Sequence, residues 1–124
     1  MSTMAQEVQE ALDAGIPALT ELGWAVRKLN EAKGWRSQKR SVGDEVALLH
    51  SEVSELLEAF REYGDCAARM DENRKPVGVP SEAADVLIRL LDLCDRCGVN
   101  LGIAFRQKYR YGWTRPARHG GKHL

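Results

Sequence analysis

The β-branched residues of this chain form no alternating run, and its four prolines all stand where a helix can begin or end. This pattern favours helices over strands. A length of 124 residues gives room for one domain but not for two independent cores. We therefore expect an all-α fold, an antiparallel bundle of four to five helices.

Four helices are predicted from the spacing of apolar residues and from the capping residues and glycines at their ends. Pro17 suits a first turn, Ser41 and Ser81 are the expected N-caps, and Gly112 is the expected stop of the last helix. The predicted helices cover residues 17–33, 41–63, 81–98, and 99 or 100 to 111.

The segments around these helices differ in composition. Residues 65–79 are rich in charge, Gly and Pro and are expected to form a loop, whereas residues 1–15 are expected to form a short helix or a loose arm. A single helical domain is predicted to span residues 16–112, and a basic C-terminal tail follows at 113–124.

Composition excludes several classes of protein. Hydrophobic residues make up 44% and charged residues 29% of the chain, which is typical of a globular protein and not of a disordered one. No run reaches the roughly 18 apolar residues of a membrane span, and the formal net charge is zero. We expect a cytoplasmic protein with no nucleic-acid or membrane partner, whose three cysteines are reduced thiols.

Charge is unevenly distributed along the chain. Residues 1–65 carry 12 acidic and 7 basic side chains, whereas residues 66–124 carry 6 acidic and 11 basic ones. From Arg106 to the C-terminus there are six Lys or Arg residues and no acid. This last segment is predicted to meet an anion, and a ligand is one source of it.

The second predicted helix carries two stripes on a helical wheel. Its apolar stripe is the expected core face and consists of Val46, Leu49, Val53, Leu56, Leu57 and Phe60. Glu52 and Glu55 lie on the other stripe, which is mixed and also holds Leu48 and Ala59. Their spacing of three residues places both carboxylates on adjacent turns. Such a pair can share a cation or can simply belong to a solvated helix face.

The third predicted helix is apolar around most of its circumference, which indicates burial on several sides. Its polar residues form one narrow stripe, which consists of Glu82, Asp85, Arg89, Asp92 and Arg96. The stripe opens with a second pair of carboxylates three residues apart. A solvent-facing strip with the helix pairs Asp85–Arg89 and Asp92–Arg96 is the alternative interpretation.

Two carboxylate pairs on antiparallel helices allow four acids to converge. Without a counter-charge they would repel one another and their pKa values would rise, whereas a divalent cation would keep them ionised. Oxygen ligands favour Mg²⁺ or Mn²⁺ over zinc. The four acids are therefore a candidate magnesium site.

At these residues the chain resembles a known family. Glu52-x-x-Glu55 followed by Glu82-x-x-Asp85 is similar to the paired motif of the all-α, MazG-like nucleoside triphosphate pyrophosphohydrolases, which are related to the dimeric dUTPases and the dCTP pyrophosphatases. The resemblance covers about residues 20–122. It also includes Lys33–Trp35, Leu48–Ala59, Lys75–Pro80 and Thr114–Lys122.

The resemblance implies an enzyme that cleaves a nucleoside or deoxynucleoside triphosphate to the monophosphate and pyrophosphate, as a house-cleaning activity. Glu52, Glu55, Glu82 and Asp85 would then bind Mg²⁺ and be the catalytic residues. It also implies a homodimer or a dimer of dimers. The apolar third helix favours the same assembly, because four helices cover it only partly.

Phosphate binding is assigned through the same resemblance. Lys108 matches the family's lysine at the end of the last helix, and Arg115, Arg118 and Lys122 are further candidates for contacts with phosphate. Many relatives have an asparagine a few residues after that lysine, where this chain has Gly112–Trp113.

Aromatic and sulfur side chains have plainer interpretations. Trp35 follows a helix-ending glycine and is the candidate for the base side of a nucleotide pocket, whereas Trp24 is expected in the core. Cys94 and Cys97 have the spacing of a metal or redox site but lie inside a predicted helix, so packing is their expected role. His50 is expected to be structural or exposed.

Two other functions are alternatives to an enzyme. A non-catalytic helical interaction module would use the basic tail to bind an acidic partner and would need no metal. A nucleic-acid binder is disfavoured by the zero net charge and by the lack of a recognition-helix motif.

Overall fold

Four helices and one small hairpin make up the fold in the computed structural model, which describes residues 3–117. The helices are α1 (Met4–Ala32), α2 (Val42–Tyr63), α3 (Val79–Arg96) and α4 (Leu101–Thr114). Strands β1 (Arg69–Met70) and β2 (Pro76–Val77) pair antiparallel between α2 and α3. The described residues are predominantly helical, as predicted. Among them, no helix has both the length and the hydropathy that crossing a lipid bilayer requires.

Helix α1 begins much earlier than predicted. A capping box closes its first turn: the Thr3 hydroxyl accepts from the Gln6 amide, and the Gln6 side chain accepts from the Thr3 amide. Pro17 lies inside the helix and not at its start. The expectation of an arm or a separate short helix at residues 1–15 is therefore wrong for residues 4–15, which belong to the long helix α1 and include the buried Leu12.

Helix α2 has the predicted ends. Ser41 forms a capping box with Asp44, and Gly64 ends the helix with a φ of 73°. Helix α3 starts at Val79, so Ser81 is not its N-cap. The Ser81 hydroxyl instead donates to the backbone oxygen of Pro76.

Helix α4 starts as predicted and ends later. Asn100 is its N-cap and accepts from the Ile103 amide at 3.0 Å. Gly112 lies inside the helix, which continues to Thr114, so the expected stop at this glycine is wrong. The predicted loop at 65–79 contains the β1–β2 hairpin.

Helix α3 lies between α1 and α2 and packs on both, while α1 also packs on α4. The α2 and α3 contacts run in opposite chain directions. Glu45, near the start of α2, lies 3.8 Å from Arg96 at the end of α3, whereas Glu52 lies 3.3 Å from Arg89. The two helices that carry the carboxylate pairs are therefore antiparallel.

The polar stripes of α2 and α3 face inward, and much of the apolar surface faces outward. Asp92 of α3 is only 4% exposed, so its stripe is not the solvent-facing strip of the alternative interpretation. The expected core face of α2 is wrong for the single chain. Four of its six residues are 46–50% exposed, namely Val46, Val53, Leu57 and Phe60. The reason is that α2 packs its mixed stripe on α3, which buries Glu45 and Ala59.

Candidate functional site

Four carboxylates meet where α2 faces α3. Glu52 and Glu55 lie on successive turns in the middle of α2, and Glu82 and Asp85 lie on the first two turns of α3. Because the helices are antiparallel, the middle of α2 lies beside the start of α3. The two pairs are brought together by this packing.

Three of these carboxylates form a tight group, which we call the acid triad: Glu52, Glu82 and Asp85. One carboxylate oxygen from each of them lies within 4.8 Å of the others. The Oε2 atoms of Glu52 and Glu82 are buried and have no hydrogen-bond partner among the described residues. Glu55 is exposed and lies at the edge of the triad. Buried oxygens without partners are costly unless a cation binds them.

Burial and mutual repulsion change the acidity of this group. Burial raises the pKa of Glu82, and the negative charge of Asp85 adds to the effect. The neighbouring Glu52 carboxyl raises the pKa of Glu55, again with a contribution from the charge of Asp85. At neutral pH the negative charges of these carboxylates therefore repel one another, and a bound cation would relieve this repulsion.

The ligand atoms of the acid triad fit a hard divalent cation. All of them are carboxylate oxygens, which Mg²⁺ and Mn²⁺ prefer, whereas structural zinc sites are built mainly from Cys and His. The buried oxygens of Glu52 and Glu82 have no competing hydrogen bond among the described residues. The residues present thus suit a magnesium or manganese ion.

A cavity of about 370 Å³ opens beside the triad, and Glu52 and Asp85 form part of its wall. The other lining residues are Asn30, Trp35, Gln38, Arg40, Ile88, Arg89, Asp92 and Arg96. The cavity thus combines an aromatic ring and three guanidinium groups with two carboxylates of the triad. The lining also contains Asp92, so three carboxylates balance the three guanidinium groups, and the cavity suits a ligand with an aromatic part whose anionic groups bind together with a cation at the triad.

Trp35 reaches this cavity because the chain turns sharply after α1. Gly34 adopts a φ of 74°, and a 3₁₀ turn at Trp35–Ser37 follows. Arg96 of α3 donates to the backbone oxygens of Trp35 and Gln38 at 3.2 and 3.1 Å. The Trp35 side chain is 48% exposed. The candidate base-side residue therefore lies in the same cavity as two of the triad carboxylates.

Arg40 and Arg89 are cavity residues that sequence reasoning does not identify as part of the site. The alternative, solvent-facing interpretation of the α3 stripe pairs Arg89 with Asp85 on its own helix, but the Arg89 Nε lies 3.3 Å from Oε1 of Glu52 on α2. Arg40 lies 3.3 Å from Glu45. Arg89 could have been identified from its place on the polar stripe of α3, between the acids of the site. Nothing in the sequence around Arg40 distinguishes it from other surface arginines.

The phosphate-binding residues named from the sequence lie elsewhere in the single chain. Lys108 and Arg115 lie near the ring of Tyr111, at 5.6 and 6.0 Å from its centre. Their helix packs on α1, and neither residue lines the cavity beside the triad. Arg118 and Lys122 lie outside the described residues. The chain alone therefore does not bring Lys108 and Arg115 to the carboxylates.

Three further residues can be compared with their predictions. Cys94 is buried, and burial raises the pKa of its thiol, which agrees with a packing role. His50 is exposed. Trp24 is 61% exposed, so its expected place in the core is wrong for the single chain.

Glu82→Gln is expected to raise the Tm of the metal-free protein by roughly 3 °C at about pH 7, because it removes a half-buried charge that repels its neighbours. The raised pKa values of Glu82 and Glu55 mean that the folded wild type binds protons more tightly than the unfolded chain. The wild type is therefore stabilised as the pH falls from neutral through these raised pKa values, and its difference in Tm from Glu82→Gln should shrink as the pH is lowered.

Thermal melts at neutral and at lower pH check this expectation. Glu58→Gln is the control, because Glu58 is an exposed acid on α2 that pairs with the equally exposed Arg61. A Glu82→Gln protein that melts below the wild type at neutral pH would contradict repulsion within the group.

No protein-family model matches the chain, and neither the search of curated proteins nor that of solved structures gives a match. The resemblance to the MazG-like enzymes thus depends on the residues that carry it. The function has to be argued from the acid triad and the cavity beside it.

Proposed function

We propose that the protein is a Mg²⁺-dependent nucleoside triphosphate pyrophosphohydrolase of the MazG-like type, acting on the cytoplasmic nucleotide pool. The observation that carries the proposal is the acid triad beside a cavity that also presents Trp35 and Arg89. A nucleoside triphosphate has the matching parts. Its phosphates bind divalent cations and guanidinium groups, and its base can stack on an aromatic ring.

The proposed reaction is attack of water on the α-phosphorus, with pyrophosphate as the leaving group. Glu52, Glu82 and Asp85 would hold Mg²⁺, which when bound supplies activation of water and neutralisation of phosphoryl charge. In this proposal Trp35 orients the base. Glu55, at the edge of the triad, accepts the proton of the attacking water.

We also propose that the chain assembles as a dimer or a dimer of dimers. The protomer exposes 9369 Å², whereas a compact monomer of this mass exposes about 6,700 Å². The excess is of the size that an obligate dimer buries. In this proposal the outward apolar stripe of α2 forms the interface with the second copy, because exposed apolar patches of this extent commonly mark protein–protein contacts. Lys108 and Arg115 stay proposed phosphate ligands, because a second copy can bring α4 near the triad.

Leu57→Glu is expected to dissociate this assembly into protomers of 13.9 kDa. Leu57 is 50% exposed in the single chain and belongs to the outward apolar stripe of α2. A buried carboxylate without a partner would cost several kcal/mol at the interface. Light scattering at micromolar concentration measures the mass. Glu58→Ala, on the polar side of the same turn, should leave the assembly intact, and a monomeric wild type would contradict the proposal.

The activity is tested by incubating the protein and Mg²⁺ with each common ribo- and deoxyribonucleoside triphosphate and resolving the products. We expect equal amounts of monophosphate and pyrophosphate, and no turnover after chelation of the metal. Release of diphosphate and inorganic phosphate would contradict cleavage at the α-phosphorus. Absence of turnover on every triphosphate, together with no Mg²⁺-dependent change in Tm, would favour a non-catalytic helical module.

A further inference from the structure

Arg89 is a cation in direct contact with the acid triad. Its Nε lies 3.3 Å from Oε1 of Glu52, and its side chain is 33% exposed at the rim of the cavity. Among the described residues, no acceptor forms a hydrogen bond with its two terminal Nη groups. Arg89 also borders a neighbouring groove that contains Arg40 and Ser51. The Nε of Arg89 thus donates to a triad carboxylate, while its Nη groups are available to another acceptor.

Arg89 pairs with an acid on another helix although an acid stands four residues before it on its own helix. Asp85 lies four residues before it, at a spacing that commonly forms an ion pair. The guanidinium instead contacts Glu52 on α2, and its positive charge partly offsets the negative charge of that carboxylate. Any metal ion bound by Glu52 would add positive charge beside this guanidinium. Oε2 of Glu52 has no partner among the described residues and could bind the metal while Arg89 holds Oε1, so the two cations would repel each other across one carboxylate.

We propose that Arg89 is an exchangeable counter-ion, which pairs with Glu52 in the metal-free protein and binds the phosphate groups of the substrate once the metal occupies the triad. This inference rests on the proposed function. A guanidinium suits the role because its planar donors bind two phosphate oxygens at once, and the free Nη groups of Arg89 are already at the rim. The triphosphate thus offers a new anionic partner to the cation that the metal displaces.

The proposal predicts opposite effects on metal and substrate when the charge is removed. Arg89→Met keeps most of the apolar stem. It should bind Mn²⁺ several-fold more tightly than the wild type in the absence of nucleotide, and its KM for the triphosphate should rise at least about 10-fold. The metal-free variant should also melt at a lower temperature. A merely structural role for Arg89 would weaken the binding of both ligands.

Mn²⁺ binding is measured by calorimetry or by the electron paramagnetic resonance of the free ion, and KM by steady-state kinetics. Arg89→Lys keeps the charge without the planar fork, so it should bind Mn²⁺ like the wild type and show an intermediate KM. If Arg89→Met does not fold, Arg89→Lys is compared with the wild type in its place, and the KM is the deciding measurement. Arg36→Met is the matched control, because Arg36 makes a part-buried ion pair with Asp95, reaches the cavity residue Asp92 only at 4.0 Å, and does not itself line the cavity.

Each result decides between the two claims. Unchanged or weaker Mn²⁺ binding by Arg89→Met overturns the counter-ion role, and an unchanged KM overturns the phosphate role. If the same loss or gain occurs in Arg36→Met, the effect is a general one of charge and the inference fails. A wild-type protein that binds no Mn²⁺ and cleaves no triphosphate refutes the proposed function itself.

Discussion

Asp85→Asn is expected to lower kcat at least about 100-fold while leaving the Tm of the metal-free protein unchanged or higher. Asp85 belongs to the acid triad and lines the cavity beside it. The amide keeps the shape of the side chain but removes the charge that would bind the metal. The fold should not suffer, because the substitution also removes a carboxylate that repels Glu82 and Glu55.

Initial rates of pyrophosphate release at saturating substrate measure the loss, and Mn²⁺ titration shows whether it comes from metal binding. Asp95→Asn is the control on the same helix, because Asp95 pairs with Arg36 and does not line the cavity. Glu55→Gln should separate the two proposed roles, since it should lower kcat while Mn²⁺ affinity is kept. Near wild-type kcat and Mn²⁺ affinity in Asp85→Asn would refute the metal site.

Helix ends that depend on local chemistry can be predicted from this sequence. Ser41 with Gly64 defines α2, and Asn100 starts α4. Helix α1 shows the limit of such rules. Pro17 is compatible with a first turn, but it also fits inside a helix when packing along 29 residues outweighs one missing hydrogen bond. The start of α1 is set by the Thr3 capping box, which the pattern of apolar residues does not reveal.

The acids of the candidate site can be predicted, whereas their surroundings cannot. The spacing of the carboxylate pairs identifies them, but a helical wheel does not say which stripe of α2 faces α3. An apolar stripe that packs against a second copy has the same pattern as one that packs in a core. Arg89 shows the same limit. Its choice between Asp85 and Glu52 depends on how closely α2 approaches α3, which is a property of the tertiary fold.

Asp92→Ala is expected to destabilise the protein by about 3 kcal/mol or more, which corresponds to a fall in Tm of roughly 10 °C. The Asp92 side chain is 6% exposed and lies in a polar cluster between α1 and α3. Its carboxylate accepts from Arg96 and from the Asn30 side chain, each at 2.9 Å. Removal of the carboxylate leaves a guanidinium and an amide without this partner in a buried place.

Asp95→Ala is the matched control for this effect, because Asp95 also pairs with arginine but is 25% exposed, so water can replace its contacts. Its cost should be about 1 kcal/mol or less, measured by urea unfolding at one fixed protein concentration because assembly contributes to stability. Arg96 also binds the backbone of Trp35. Asp92→Ala should therefore raise KM more than it lowers kcat under conditions where it is folded. Equal destabilisation by the two substitutions would show that burial of Asp92 does not set the cost, and that packing of α3 on α2 holds the site without this cluster.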